Sequence, residues 1–431
     1  MKTASCFGPA HILLPREDIP LEKWGCVACD QFTSDRAYWE RADAAVGSCP
    51  STLRLILPEA NLKAPNVDEF IADINASMSK YLEEGIFETL KDSLIYIERG
   101  QSDGKIRHGL IGMVDLDQYD FTPGSGALIR ATEGTVLDRI PPRARVRRNA
   151  PIELPHVMLL IDDPEKTVIE PLTAAADKME SVYDFDLMES GGHIKGYKLS
   201  AEQIDAVADA LTGLTTDEAM KSKYGVSGVA PLLFAVGDGN HSLATAKKYY
   251  EQLKATLPAE EAAAHPARYA MVELVNIHDD ALIFEPVHRV LTNVHPADVL
   301  ADWSAYCAAH GMALSFVPPD ADAQELRVVS ASGEQTAFIA HPDGALPVAT
   351  LQRYLDDFLR RHPEAAIDYI HDDEVLRRLS RADGAMGFLL PALNKADFFP
   401  AIEQLGILPR KTFSMGHAHD KRFYIECRKI L

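Results

Sequence analysis

The segment Pro231–Ser242 (PLLFAVGDGNHS) constrains the fold of this chain more than any other stretch. Leu232–Val236 is a short apolar run typical of a buried strand, and it leads directly into a turn with two glycines. Beyond the turn, apolar residues recur at the spacing of one helix face, at Leu243, Ala246, Tyr249, Tyr250 and Leu253. The sequence therefore predicts a strand, a glycine turn and an amphipathic helix in direct succession.

The turn itself, Gly237–Ser242, has the chemistry of an anion-binding site, and we call it the cradle. The first N–H groups of a helix lack intrahelical partners and carry the positive end of the helix dipole, so they attract phosphate or carboxylate. Gly237 and Gly239 let the backbone approach a ligand, and His241 adds a polar side chain. Because a carboxylate beside a phosphate needs an intervening cation, Asp238 predicts a Mg²⁺-bound phosphate, as in a nucleotide.

Two other interpretations of the cradle stay open. In an ordinary helix start, Asp238 or Asn240 would be a turn residue and Ser242 the N-cap. The spacing Gly237-x-Gly239-x-x-Ser242 also nearly matches the dinucleotide fingerprint, which would indicate an NAD(P)-dependent oxidoreductase. Serine at the third position and an acid within the turn make that match the weaker one.

Size and charge limit the classes of partner. The chain has 431 residues, 47% of them hydrophobic, and a formal net charge of -21. This charge argues against binding to nucleic acid or to a membrane surface, so a phosphate ligand would need a local basic pocket. Met1–Ala10 has no long apolar run, and no later stretch is long enough to span a bilayer, so we expect a cytoplasmic protein.

The mixture of strand and helix patterns predicts a mixed α/β (α+β) protein. We expect a core lobe over residues 1–290, a smaller α/β lobe over 291–365, and a C-terminal segment, 366–431, that packs back on the core. Leu53–Leu57 is expected as a strand, and Tyr269–Val275 is expected to form a hairpin with Leu282–Glu285. The patterns do not indicate whether copies of the chain assemble.

A dense basic cluster lies upstream of the cradle, in a segment rich in Gly, Pro and Arg that is expected as a long loop or a broken helix. Five arginines occur within ten residues that contain no acid: Arg139, Arg143, Arg145, Arg147 and Arg148. Guanidinium groups bind phosphate oxygens in bidentate fashion, so the cluster could clamp a nucleotide. It could equally pair with acidic neighbours or with another subunit.

Other polar residues invite weaker hypotheses. Glu133, in a loop of small and hydroxylated residues, could act as a general base. Cys26 and Cys29 form a CxxC pair without a second pair, so idle thiols are favoured over a metal or redox site. His417 and His419 alternate in a glycine-containing turn, but no further metal ligand is evident nearby.

Three segments together resemble a known family: Asp238–Ser242 (DGNHS), Leu282–Arg289 (LIFEPVHR) and Leu408–Gly416 (LPRKTFSMG). They resemble the uncharacterised prokaryotic domain-of-unknown-function 1015 family, over nearly the whole chain. The central motif of that family, Asp-Gly-His-His-Arg, is similar to the phosphate-binding motif of free serine kinases built on the ParB/sulfiredoxin-like fold. The resemblance therefore implies a nucleotide-binding core of that fold.

The resemblance also implies roles for particular residues. Asp238 and His241 match the acid and the second histidine of the motif, whereas Asn240 and Ser242 replace its first histidine and its arginine. Arginines from the cluster 139–148 would then supply the missing positive charge, and Glu133 would correspond to the catalytic glutamate of the kinases. Further basic residues in the matching segments would bind phosphate or substrate, or stabilise the structure: Lys411, His288 and Arg289.

The sequence thus favours a phosphotransferase that uses ATP or ADP with Mg²⁺ and acts on a small hydroxylated metabolite, with free L-serine as the named acceptor. Asp238 would hold the metal, His241 and the helix N-terminus would bind the donor phosphates, and Glu133 would activate the acceptor hydroxyl. The alternative from another class is a nucleotide-responsive binding protein without turnover.

Overall fold

The computed structural model of this protein describes residues 6–33, 35–62, 64–134, 140–225, 227–228, 230–320, 322–344 and 346–431. Contacts divide the chain into a larger unit, Met1–Leu282 with Gly416–Leu431, and a smaller unit, Ile283–Met415. Strands and helices alternate in both, so the predicted mixed α/β class is confirmed. The ParB/sulfiredoxin-like core remains a prediction.

The larger unit is built on one mixed sheet. Its strand order is Glu180–Asp186, His193–Lys198, Ile95–Gly100, Ile106–Asp115, Tyr269–Asn276, Met158–Ile161, Phe234–Asp238, Ile129–Arg130 and Tyr119–Asp120, with Phe7–Gly8 also paired to Ile106–Asp115. The shorter pairs of this unit are Ala10–Pro15 with Phe87–Ser93, Cys26–Val27 with Phe423–Tyr424, and Ile152–Glu153 with Arg428–Lys429. The last two pairs tie the C-terminal segment to the larger unit.

Side-chain alternation along the strands explains why both faces of this sheet are covered. On Ile95–Gly100, Ile95 and Ile97 enter one hydrophobic cluster, whereas Tyr96 between them enters the opposite one. The helices of this unit are Leu21–Trp24, Arg36–Val46, Val67–Glu83, Ile140–Arg148, Glu170–Thr173, Ala201–Gly213, Asp217–Tyr224, Asn240–Lys254 and Ala259–Ala264. Within the described residues, no helix combines the length and the apolar character needed to cross a membrane.

The smaller unit has its own antiparallel sheet, in the order Ala313–Ser315, Gly333–Ala340, Ala323–Ser330, Ala385–Leu389, His288–Thr292 and Ala366–Ile370. Its helices are Pro296–Ala309, Pro347–Arg361, Asp373–Ser380 and Lys395–Leu405. A separate pair, Phe284–Pro286 with Phe413–Met415, lies where the chain enters and leaves this unit.

The unit boundaries differ from the expected positions 290 and 365. Ala366–Ile370 pairs with His288–Thr292 and therefore belongs to the smaller unit, together with the residues up to Met415. Only Gly416–Leu431 returns to the larger unit. Strand pairing between distant segments set these limits, and no change of composition marks them.

Two local expectations are wrong for related reasons. Tyr269–Asn276 pairs with Ile106–Asp115 and Met158–Ile161 instead of forming a hairpin with the residues that follow it. The apolar run at Leu53–Leu57 contributes to a 3-10 helix, Thr52–Leu55, which begins where the Ser51 hydroxyl accepts a hydrogen bond from the Leu53 N–H at 3.2 Å. In the first case pairing with distant strands, and in the second a side-chain cap, decided the structure against the local sequence pattern.

Candidate active site

The cradle has the predicted strand, turn and helix. Strand Phe234–Asp238 passes through Gly239, at φ +82°, into helix Asn240–Lys254. The Gly239 carbonyl accepts hydrogen bonds from the N–H groups of Ser242 and Leu243 at 2.9 and 3.0 Å, which closes the first turn. A Cβ at Gly239 would lie 3.0 Å from the Val157 Cα, so the turn conformation and this packing require glycine even without a ligand.

Asp238 already has a cation within the protein. Its Oδ2 lies 3.0 Å from the Lys421 Nζ, and its Oδ1 accepts the Gly239 N–H at 2.8 Å. The side chain of Asp238 is 25% exposed, and that of Lys421 is 12% exposed. Burial alone would raise the pKa of the Asp238 carboxyl, but Lys421, with smaller contributions from His156 and the Gly239 N–H, holds it below its usual range. The carboxylate is therefore ionised and paired at neutral pH.

Lys421 is held in position by its two neighbours in the chain. The Asp420 carboxylate accepts hydrogen bonds from the N–H and hydroxyl of Ser102, both at 2.7 Å, and its carbonyl accepts one from Arg107 at 2.9 Å. On the other side, the buried Arg422 is ion-paired with Glu273 and Glu426. Because both flanking residues are fixed, the ammonium group reaches the cradle from a rigid backbone.

Glu133 approaches the cradle through the neighbouring parallel strand. Ile129–Arg130 pairs in parallel with Phe234–Asp238, so the carboxyl ends of both strands lie at the same edge of the sheet. Asn240 Oδ1 accepts the Thr132 N–H at 3.1 Å, and Asn240 Nδ2 donates to the Thr132 hydroxyl at 3.2 Å. Glu133 follows Thr132 directly and is half-buried. Asn240 thus anchors the Glu133 loop, a structural role that the sequence did not indicate.

The side chains of the first helical turn have mixed roles. His241 is half-buried, and its carbonyl accepts a hydrogen bond from the Thr245 hydroxyl at 2.7 Å. Ser242 Oγ lies 3.1 Å from His156 Nε2, and His156 Nδ1 lies 2.7 Å from the Tyr424 hydroxyl. Gly237 is a half-buried strand residue. Ser242 therefore belongs to a hydrogen-bonded chain that reaches the C-terminal segment.

The arginine cluster forms a helix, Ile140–Arg148, that packs against helix Asn240–Lys254. Arg145 pairs with Asp68 at 2.6 Å, and Arg147 pairs with Glu153 at 2.7 Å. Arg148 is exposed. Arg139 and the side chain of Arg143 lie outside the described residues. For Arg145 and Arg147 the structure thus favours pairing with acidic neighbours over a phosphate clamp.

Comparison with known proteins places this architecture in a family. A family model described as "Protein of unknown function (DUF1015)" matches residues 11–358, which is more than half of the chain. The chain belongs to this family. Comparison with curated proteins gave no match.

Several solved structures resemble this DUF1015 protein at low identity. A free serine kinase in complex with AMP is 10% identical, with 74% of this chain and 91% of that chain covered and a TM-score of 0.37. A conserved hypothetical protein from Pyrococcus furiosus is 10% identical, with coverage of 74% and 94% and a TM-score of 0.36. SbnI from Staphylococcus aureus, with a C-terminal truncation, is 7% identical, with coverage of 71% and 82% and a TM-score of 0.37. Similarity of this degree assigns no function to the chain.

The other predicted site residues lie in the smaller unit of this DUF1015 protein. His288 is buried; its Nδ1 accepts the Leu390 N–H at 3.1 Å, and its Nε2 lies 2.7 Å from Asp373 Oδ1. Arg289 is buried, donates to Gln352 and stacks over the Tyr369 ring. Lys411 is exposed. The contacts of His288 and Arg289 are those of structural residues.

The cysteines and the two C-terminal histidines show no metal centre within the described residues, where no three His, Cys, Asp or Glu side chains are grouped to hold an ion. Cys26 is buried and accepts a hydrogen bond from the Thr52 hydroxyl at 3.3 Å; burial raises the pKa of its thiol to about 12. Cys29 is half-buried, and its N–H donates to the Tyr424 hydroxyl at 3.3 Å. His419 contacts the Phe32 ring.

Sequence analysis missed Lys421, His156 and Tyr424. His156 comes just before strand Met158–Ile161, whose Met158 is the antiparallel partner of Asp238. Lys421 and Tyr424 come from the C-terminal segment. The buried charges around Lys421 are the only sequence signal we recognise: Asp420, Arg422, Glu426 and Arg428 crowd a short stretch that also holds the apolar residues of strand Phe423–Tyr424.

Proposed function

We propose that this protein binds a nucleotide at the cradle and transfers a phosphoryl group to a small hydroxylated metabolite. The observation that carries this proposal is the Asp238–Lys421 ion pair at the N-terminus of helix Asn240–Lys254, beside the loop of Glu133. A helix N-terminus, an ammonium group and a nearby carboxylate are the groups that phosphoryl transfer needs. L-serine is the first acceptor to test, because the cradle motif resembles that of free serine kinases.

In this proposal each group has a separate role. The N–H groups of the first helical turn, His241 and Lys421 bind the phosphates of the donor. Glu133 takes the proton of the acceptor hydroxyl, whose oxygen forms the new P–O bond while the phosphoanhydride bond to ADP or AMP breaks. Asp238 positions Lys421 and limits its side-chain freedom.

The residues also fit Mg²⁺ bound together with ATP or ADP. Magnesium usually keeps several waters and takes one or two protein carboxylates beside the substrate phosphates. Asp238 would be that carboxylate, and Glu133 keeps the role of the base. When bound, the ion would neutralise charge that develops on the transferred phosphoryl group. Lys421 gives the cradle one positive charge that does not depend on metal.

A nucleotide-responsive binding protein without turnover is the second candidate. It is favoured by the contacts of the cradle side chains, because Asp238, Asn240 and Ser242 each have a protein partner. Such a site binds an anion through its backbone and Lys421 and needs no catalytic base. The two candidates share the binding step and differ only in the role of Glu133.

The test measures binding and transfer separately. Calorimetry with ATP and ADP, with and without Mg²⁺, gives Kd, and ³¹P NMR detects a phosphate ester formed from L-serine or other hydroxylated acceptors. For Lys421→Met we expect a Kd weaker by roughly 10- to 100-fold. For Glu133→Gln we expect transfer slower by roughly 100-fold or more with Kd nearly unchanged.

A matched control is available on the same helix. Lys254, at the other end of the helix, pairs with Asp117 at 2.7 Å, so Lys254→Met removes a more exposed ion pair away from the cradle and should leave Kd unchanged. Nucleotide binding without transfer to any acceptor would favour the second candidate. Absence of nucleotide binding at millimolar concentration would refute both.

A further inference from the structure

A cavity of about 160 Å³ lies within the larger unit, against the first turns of helix Asn240–Lys254. Ser242 and Ala246 of that helix form part of its wall, and Ala270 of strand Tyr269–Asn276 forms another part. A cavity of about 150 Å³ lined by apolar side chains is known to hold benzene. The space here is thus large enough for one compact ring, and the cradle residue Ser242 lies at its border.

The wall of this cavity is mostly apolar and disfavours an anionic occupant. Most of the lining side chains are aliphatic, including those of Leu57, Met78 and Ile152. Three acidic or arginine side chains line the cavity: Arg147 and Glu153 lie 2.7 Å apart, so each neutralises the other, and the third is the half-buried Glu59. Burial alone would raise the pKa of Glu153, but Arg428 and Arg147 keep it below its usual range, and the carboxylate stays ionised and paired. An anion placed here would lose its hydration without gaining a partner.

One polar group of the wall is able to donate to a ligand. The Tyr424 hydroxyl accepts the Cys29 N–H and lies 2.7 Å from His156 Nδ1, and burial raises the pKa of this phenol well above its usual value, so it keeps its proton. When the phenol donates to Nδ1, His156 carries a proton on Nε2 and donates to Ser242 Oγ, 3.1 Å away. Within the described residues His156 is the one hydrogen-bond partner of the Ser242 side chain, so in that arrangement the hydroxyl proton can go to a ligand.

We propose that this cavity is a binding site for a neutral, compact apolar group of roughly six to ten non-hydrogen atoms that carries one hydrogen-bond acceptor. An aromatic ring or a branched aliphatic chain fills the aliphatic part, and its acceptor atom meets the Ser242 hydroxyl. The site does not depend on phosphoryl transfer at the cradle, because its wall residues bind by shape and by one hydrogen bond.

Fluorine NMR on the full chain tests the site with two small probes, fluorobenzene and 4-fluoroacetophenone, the second of which carries an acceptor. We expect saturable line broadening with Kd on the order of 0.1–1 mM for the acceptor-bearing probe. Ala246→Leu and Ala270→Leu each fill part of the cavity from a different element and should weaken both probes at least 10-fold. Ala255→Leu places the same side chain at the exposed end of the same helix and should change nothing.

The variant Ser242→Ala separates the contribution of shape to probe affinity from the contribution of the hydrogen bond. It should weaken 4-fluoroacetophenone roughly 3- to 10-fold and leave fluorobenzene unchanged. Circular dichroism verifies the fold of every variant. If one of the two cavity-filling variants, Ala246→Leu or Ala270→Leu, does not fold, the other still provides the test. The proposal is overturned if neither probe binds the wild type saturably, or if both folded filling variants bind as the wild type does. Nucleotide affinity, measured in parallel, reports on the cradle independently.

Discussion

At the scale of single residues, the Asp238–Lys421 pair sets the charge of the cradle. Lys421 comes from the C-terminal segment, 183 positions along the chain from Asp238. Since both side chains are mostly buried, removing one leaves the other with an uncompensated charge. The pair should therefore contribute both to the stability of the larger unit and to the capture of anions.

We expect Lys421→Met to lower the free energy of unfolding by about 1–3 kcal/mol at pH 7. Replacement of both residues, Asp238→Asn with Lys421→Met, should recover part of that loss, because no buried charge is then left alone. Urea denaturation of the wild type, both single variants and the double variant gives the coupling energy. A coupling energy near zero would mean that the pair is not formed in solution.

The same pair predicts a pH dependence. The pKa of Asp238 is lower in the folded protein than in the unfolded chain, so the unfolded chain binds more protons between the two values. The stabilisation by Asp238 is then complete above about pH 5 and is lost as the pH falls below about 4. The stability difference between wild type and Asp238→Asn, measured by urea denaturation from pH 7 to pH 3, should shrink toward acid; a difference that stays constant would contradict the prediction.

At the scale of elements, two contacts hold the surroundings of helix Asn240–Lys254: the Asn240–Thr132 link between this helix and a loop, and the packing of helix Ile140–Arg148 against it. The first link brings the Glu133 loop to the cradle. The second brings Arg147 to Glu153, where Arg428 also binds. Both contacts are testable without any assumption about activity.

Asn240→Ala should release the loop that carries Glu133. The Thr132 N–H donates to Asn240 Oδ1, so its hydrogen exchange should accelerate at least 10-fold in the variant, while amides of the central strand Tyr269–Asn276 keep their protection. Hydrogen exchange measured by mass spectrometry checks this. Unchanged exchange at Thr132 would show that other contacts hold the loop.

Arg147 and Arg145 lie on the same helix, so the same substitution at each allows a buried and an exposed ion pair to be compared. Arg147→Met removes a partner of the buried Glu153, and we expect a loss of about 1–3 kcal/mol in the free energy of unfolding, because Arg428 still compensates part of the charge. Arg145→Met removes an exposed pair with Asp68 and should change stability by less than about 0.5 kcal/mol. Urea denaturation compares the two; equal effects would count against the burial argument.

At the scale of the whole molecule, the smaller unit is a contiguous insertion in the chain of the larger one. It begins at Ile283 and ends at Met415, and Phe284 is the antiparallel partner of Met415. Partners on antiparallel strands have Cα atoms roughly 5 Å apart. The chain therefore leaves and re-enters the larger unit at nearly the same place.

We expect that residues 283–415 can be replaced by a short Gly/Ser linker without loss of the larger unit. The C-terminal strands Phe423–Tyr424 and Arg428–Lys429 would still pair with their partners, since neither partner lies in the removed part. Urea denaturation followed by circular dichroism should show one cooperative transition. As the control, deletion of residues 416–431 should abolish that transition, because it removes both strands and Lys421.

The sequence by itself determined the local features of this protein. The apolar run, the two glycines and the helical spacing around Asp238 were enough to predict strand, turn and helix, because those features depend on contacts between near neighbours in the chain. The mixed α/β class followed from the same patterns. The presence of a carboxylate at a helix N-terminus was also visible from the residues alone.

Only the tertiary structure decided which side chains meet that carboxylate. Lys421 and His156 reach the cradle through strand pairings between segments far apart in the chain, and the same pairings set the limits of the two units. The arginine cluster suggested a phosphate clamp in the sequence. In the structure, Arg145 and Arg147 form ion pairs with acidic residues that no local pattern connects to them. Local periodicity determines on which face of its helix or strand a side chain lies. The residue that this side chain contacts depends on how elements from distant parts of the chain pack together.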